Sequence, residues 1–99
     1  MGIRENRVET LLKSEIKALG GISYKWTGMP GVPDQIVIVR HRVWMVEVKT
    51  ADGRLSPMQQ RRHRELTDHG AQVRTVYGDT GVHEFIEEVK NVIATATTA

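Results

Sequence analysis

Two short apolar runs, Ile36-Val37-Ile38-Val39 and Val43-Trp44-Met45-Val46, follow one another in mid-chain with only Arg40, His41 and Arg42 between them. β-Branched side chains suit a pleated, buried surface, so both runs read as central strands, the first with both faces buried. A chain built around such a pair must cover a sheet, and its flanks have the periodicity to do so. Val8, Leu11, Leu12, Ile16 and Leu19 recur at helical spacing from about residue 3 until Gly20-Gly21 interrupts them. Val82, Phe85, Ile86, Val89 and Ile93 form the apolar stripe of a last helix, and 94–99 is expected to be a frayed tail.

Local signals complete the order. Residues 22–26 fit a short strand, and 27–33, with Gly28, Pro30, Gly31 and Pro33, have the composition of a loop. Ser56-Pro57-Met58-Gln59 has the form of a helix start: serine as N-cap, proline at the first helical position, glutamine three residues after the cap. That helix is expected to run to about His69, before Gly70, and 72–77 reads as another strand. The link near His41-Arg42 lacks the Gly or Asn that a two-residue primed turn prefers, which leaves its turn type open. The result is one α/β domain over residues 1–99 in the order αβββαβα, without repeat or linker.

A chain of 99 residues supports a single modest core and no separate substrate-binding domain, so a large substrate must lie across the domain itself. The absence of cysteine excludes disulfides and thiolate zinc sites and fits a reducing compartment. His41, His63, His69 and His83 make no His-x-x-His pattern, and His63 and His69 fall on different faces of one expected helix. A net charge of only +2 argues against coating nucleic acid with a highly basic surface. Its distribution matters more: Arg54, Arg61, Arg62 and Arg64 crowd one stretch, while Glu84, Glu87 and Glu88 load the C-terminal part. No apolar stretch approaches the roughly 20 residues that span a bilayer, and the N-terminus lacks the apolar core of a secretory signal. A soluble, intracellular protein is expected.

Pro33-Asp34 opens the first apolar run, and Glu47-Val48-Lys49 extends the second. Alternate side chains of a strand share a face, so Glu47 and Lys49 address one site while Val46 and Val48 point away. If the strands pair antiparallel in the register that brings Asp34 towards Glu47, the two carboxylates suit a magnesium ion, whose remaining positions water and a substrate phosphate would fill. Lys49 would then orient the water or hold the phosphate as a point charge. Taken singly, Asp34 reads as a strand starter, and Glu47 and Lys49 as a solvated face. Their apolar surroundings weigh against the second reading, because so hydrophobic an edge would invite aggregation.

The ordered series Glu9, Gly31-Val32-Pro33-Asp34, Glu47-Val48-Lys49 and Gly53-Arg54-Leu55-Ser56-Pro57-Met58-Gln59 closely resembles the VRR-NUC (virus-type replication-repair nuclease) family of the PD-(D/E)XK nuclease superfamily. The likeness runs from about Glu5 into the last helix. It implies a restriction-endonuclease-like core with a mixed central sheet flanked by helices, dependence on Mg2+ or Mn2+, and phosphodiester hydrolysis in DNA without an organic cofactor. By match of motif, Asp34 and Glu47 would be metal ligands with the Val48 carbonyl, Lys49 the catalytic lysine, Glu9 the first-helix acid and a further candidate ligand, and Gln59 the second-helix glutamine. Small stand-alone members of the family resemble Holliday-junction resolvases and act as homodimers, and the expected place is the cytoplasm of a bacterial or phage-infected cell.

The outer members of the site each have a competing reading. Glu9 lies within about 20° of Ile16 around the first helix, but Glu5 and Glu15 fall on that side too, so periodicity does not select Glu9. Gln59 has a competing role in a capping box. Arg54, Arg61, Arg62 and Arg64 suit phosphate contacts but equally a solvated helix face, and nothing separates a phosphate contact of Lys25 from ordinary solvation. Trp26, Trp44 and Tyr77 read as core or dimer surface rather than base-stacking residues. The leading expectation is an endonuclease on structured or branched DNA. A nicking or restriction-type enzyme on linear duplex and a non-catalytic DNA-binding module are the alternatives, though a decayed site should have lost Asp34, Glu47 or Lys49.

Overall fold

The computed structural model describes the backbone of residues 3–98 and the side chains of 4–95. Its elements are α1 (Ile3–Ala18), β1 (Ile22–Lys25), β2 (Gln35–Val39), β3 (Arg42–Lys49), α2 (Pro57–Asp68), β4 (Val73–Tyr77) and α3 (Gly78–Thr98), the expected αβββαβα order. The strands lie in the order β1-β2-β3-β4. The first two pairings are antiparallel and β3 with β4 is parallel, so the sheet is mixed and α2 is the crossover that the parallel pair requires.

Strand alternation places the core. Val37 and Val39 on β2, Trp44, Val46 and Val48 on β3 and Val76 on β4 are buried on one face. Val8, Leu12 and Ile16 of α1 and Val82, Phe85, Ile86 and Val89 of α3 complete the cluster with them. Trp44 is fully buried and meets Phe85 edge to face, with centroids 5.9 Å apart and planes at 87°, the arrangement that aromatic quadrupoles prefer. The opposite face is only partly covered: Ile36 and Ile38 are half-buried, and Ile22, Tyr24 and Val43 are exposed. Burial of β2 on both faces is therefore corrected. β2 and β3 are central, but helices cover the β2 region from one side.

The turn that the sequence left open is defined by the strand register. Val39 pairs with Arg42, which leaves Arg40 and His41 as a two-residue loop with φ of 48° and 70°. Positive φ at both central residues is the type I′ arrangement, formed here without the Gly or Asn that normally carries it. The pairing of β2 with β3 outweighs a local cost of about 1 kcal/mol or more per residue. At the other end α3 continues to Thr98, which takes the helix into the segment 94–99, and residue 99 lies outside the described residues. The Thr95 hydroxyl donates to the Asn91 carbonyl at 2.8 Å, a bond within the helix that needs no apolar stripe. No helix among the described residues is long and apolar enough to cross a membrane.

Candidate active site

β2 and β3 pair from Val39↔Arg42 down to Gln35↔Val46, and the same register one step on sets Asp34 opposite Glu47. There β2 has not yet begun, while β3 runs on through Glu47, Val48 and Lys49 against β4. The Val48 N–H donates instead to Asp34 Oδ1 at 3.3 Å. A side chain thus satisfies a backbone donor that a strand would otherwise pair. Asp34 is held from its other side by the Trp26 N–H, which donates to the Asp34 carbonyl at 2.9 Å and closes the base of the 27–33 loop. That loop lies hard against α2. Gly31 has φ of 88°, and a Cβ there would stand 2.8 Å from the Met58 carbonyl oxygen, so the approach requires glycine.

Glu47 is almost wholly buried, and α2 is set by its capping box to meet it. Ser56 Oγ accepts from the Gln59 N–H at 3.1 Å, and Gln59 Oε1 accepts from the Ser56 N–H at 2.9 Å. The other end of the same amide, Nε2, donates to Glu47 Oε2 at 3.2 Å. Cap and site were competing readings of Gln59, and its capping bonds do not preclude a contact with Glu47, because different atoms make them. One turn further along α2 stands buried His63, whose Nε2 is 3.7 Å from Glu47 Oε1.

The electrostatics follow from this burial. Asp34 is raised to about 6, first by burial and further by the charges of Glu9 and Glu5, against the Val48 hydrogen bond and Lys25. Glu47 is raised to about 7 by burial, then by Asp34 and Glu5, with Lys49 opposing. His63 is depressed by burial and by Lys49. With the imidazole pushed towards its neutral form and the Glu47 carboxyl about half protonated at pH 7, the contact is not an ion pair despite their proximity. The pair of carboxylates is electrostatically unfavourable in the protein by itself, and a nearby cation would relieve both. Among the described residues no group of three or more His, Cys, Asp or Glu side chains is drawn together as a ready metal cage.

The first-helix acids divide. Glu9 Oε1 accepts from Gln35 Nε2 at 2.6 Å, and Ser23 Oγ donates to Gln35 Oε1 at 3.2 Å. Lys25 Nζ lies 3.9 Å from Glu9 Oε1, which makes Lys25 a counter-charge to that acid. Glu9 is close enough to raise Asp34, and Glu5, one turn earlier, raises both Asp34 and Glu47. Glu15 lies 3.7 Å from His83, at the packing of α1 on α3. Arg54, Arg61 and Arg64 are exposed, whereas Arg62 is half-buried, donates to the Pro30 carbonyl at 3.3 Å and pairs with Glu65. Arg62 therefore ties the 27–33 loop to α2.

Sequence reasoning missed two residues here, Gln35 and His63. Gln35 was findable: it is polar at a position that alternates with core-facing Val37 and Val39, so it had to have a partner. His63 follows Gln59 by four residues and shares its helix face, but only the tertiary placement of α2 brings that face to Glu47.

A mixed four-stranded sheet flanked by helices is the core the sequence resemblance implied, and half-buried Asp34 and buried Glu47 meet where its central strands part. Residues 5–80 match the VRR-NUC domain family, and the chain belongs to that family of nuclease domains. It is 39% identical over 74 residues to "Putative nuclease p44" of Acyrthosiphon pisum secondary endosymbiont phage 1, an alignment covering 72% of this chain and 80% of that protein. A solved VRR_NUC domain structure superimposes with a TM-score of 0.79 at 32% identity, covering 87% of this chain and 97% of the other.

Proposed function

We propose that this chain is a Mg2+- or Mn2+-dependent endonuclease that hydrolyses phosphodiester bonds in structured or branched DNA, foremost Holliday junctions, and works as a homodimer. The observation that carries the reading is the Asp34–Glu47 pair, two acids raised to about 6 and about 7 next to Lys49. The donor set suits a hard cation. Glu47 Oε1 is buried without a hydrogen-bond partner, and two carboxylates with one backbone carbonyl, that of Val48, leave room for the water and phosphate oxygens that magnesium keeps. Asp34, Glu47 and the Val48 carbonyl are thus the proposed ligands, with Glu9 a further candidate. When bound, the cation supplies positive charge at the scissile phosphate and lowers the pKa of a coordinated water.

The chain's own groups do the rest. Lys49 holds the phosphate or orients the attacking water as a point charge, and Gln59 fixes the Glu47 carboxylate from α2. Arg54, Arg61 and Arg64, all exposed, are placed for phosphate contacts that bind without reading sequence. A homodimer would present two such sites related by a two-fold axis, which suits paired cuts in a symmetric junction. The name of the phage relative, a putative nuclease, supports the nuclease part of this reading.

The test is cleavage of a panel of duplex, flap, fork and four-way DNA at fixed salt, with and without Mg2+ or Mn2+, by wild type, Asp34→Ala, Glu47→Ala and Lys49→Ala. Metal-dependent cutting of branched substrates by wild type only is the expected result. Undiminished cutting by all three variants would sink the site assignment. Preference for linear duplex would replace the substrate assignment with a nicking or restriction-type one, and DNA binding without cleavage would favour a non-catalytic module.

A further inference from the structure

The Glu47 carboxylate meets two side chains from one face of α2, and Gln59 accounts for only one of its oxygens. Gln59 Nε2 donates to Oε2. Oε1 and His63 Nε2 are both buried without a hydrogen-bond partner, and they face one another at 3.7 Å with side-chain exposures of 5% and 8%. A buried polar atom left unpaired is destabilising, so two such atoms in mutual view form an arrangement one step short of completion. Closing it to an ordinary hydrogen bond takes about 0.8 Å.

We infer that His63 is a positioning residue for Glu47: its Nε2–H holds Oε1 while Gln59 holds Oε2, so the carboxylate is gripped at both oxygens and cannot rotate. The inference rests on the proposed role of Glu47 as a metal ligand. A carboxylate that ligates a cation is ionised, which makes Oε1 a stronger acceptor for the imidazole N–H. Each oxygen keeps a second lone pair, so the grip does not exclude coordination. Helix geometry delivers both donors together, because Gln59 and His63 are four residues apart and the capping box sets the start of α2. Hydrogen bonds behind a metal ligand orient it, and their loss typically weakens metal affinity by about 10–100-fold.

The test compares two substitutions of different chemistry. His63→Phe keeps a planar ring and removes the donor, and His63→Gln puts an amide N–H near the Nε2 position. Mn2+ binding is measured by calorimetry at pH 8, where imidazole is neutral, alongside cleavage of junction DNA over a range of Mn2+ concentrations. His63→Phe should bind Mn2+ about 10–100-fold more weakly and regain cleavage as Mn2+ is raised, whereas His63→Gln should stay within about threefold of wild type. Melting curves check that each variant is folded, and His63→Leu replaces the phenylalanine if that ring proves too large. Wild-type Mn2+ affinity in the apolar variants, or equal weakening in the glutamine and apolar variants, would reduce His63 to packing and overturn the inference. Glu47→Ala separates this from failure of the underlying reading: if it binds Mn2+ like wild type, Glu47 is not a ligand and both fall.

Discussion

Replacing Glu47 with glutamine should stabilise the metal-free protein at pH 8 and change it little at pH 5. The folded-state pKa of Glu47 is about 7 against an ordinary 4.5. A carboxyl raised on folding binds its proton more tightly in the native state. Its contribution to stability is therefore complete below about pH 4.5 and is lost as pH climbs through about 7. The gap corresponds to about 3 kcal/mol at about 1.4 kcal/mol per tenfold. Part of it depends on the charge of Asp34, so about 2 kcal/mol is the working figure. Glutamine carries no charge, fills the same space and can still accept from Gln59 Nε2. A domain of this size moves its melting temperature by about 5 °C per kcal/mol, so the variant should melt about 10 °C higher than wild type in EDTA at pH 8. His63 titrates with the opposite sign in both proteins, since a depressed imidazole gains stability as pH rises, and the wild-type-minus-variant difference removes most of that background. A Glu47→Gln variant no more stable than wild type at pH 8, or equally stabilised at both pH values, would refute the reasoning.

Asp34→Asn removes a charge that raises Glu47 and should bring the Glu47 midpoint, followed by carboxyl 13C NMR, below about 7; an unmoved midpoint would mean that the two acids are not coupled. The Arg40→Asn, His41→Gly pair relieves positive φ at both residues of the β2–β3 turn and should add about 1–2 kcal/mol of stability by urea denaturation, with unchanged cleavage. Gly31→Ala places a methyl 2.8 Å from the Met58 carbonyl oxygen at a φ of 88°, so it should cost about 1–3 kcal/mol and lower cleavage by displacing the loop that leads into Asp34. An alanine variant with wild-type melting temperature would show that the loop and α2 are not in close contact.

Much of this arrangement was legible because it depends on local periodicity. Alternation along β3 separates Glu47 and Lys49 from Trp44, Val46 and Val48 without reference to any other element, and the Ser56–Gln59 capping box is written in four consecutive residues. What escaped depends on distance in sequence. The surroundings of Glu5, Glu9 and Glu15 turn on how α1 lies over the sheet: Glu9 meets Gln35, Glu5 raises both site acids, and Glu15 faces His83. The Arg40–His41 turn was obscured because its residues are poor choices for their own conformation and are held there by strand register. Arg62 looked like its exposed neighbours until its contact with Pro30, 32 positions earlier, distinguished it.

The amide of Gln59 has its oxygen on the start of a helix and its nitrogen on a buried acid. Its two ends are therefore not interchangeable, since turning the group over would lose both contacts at once. The first turn of α2 cannot open without letting go of Glu47, so breathing of that helix end and slackness of the carboxylate are one motion. Hydrogen exchange at the Ser56 amide, whose acceptor is Gln59 Oε1, becomes a gauge of how tightly the site is held. Whatever binds Glu47 in its held position should slow that exchange from the far side of the glutamine.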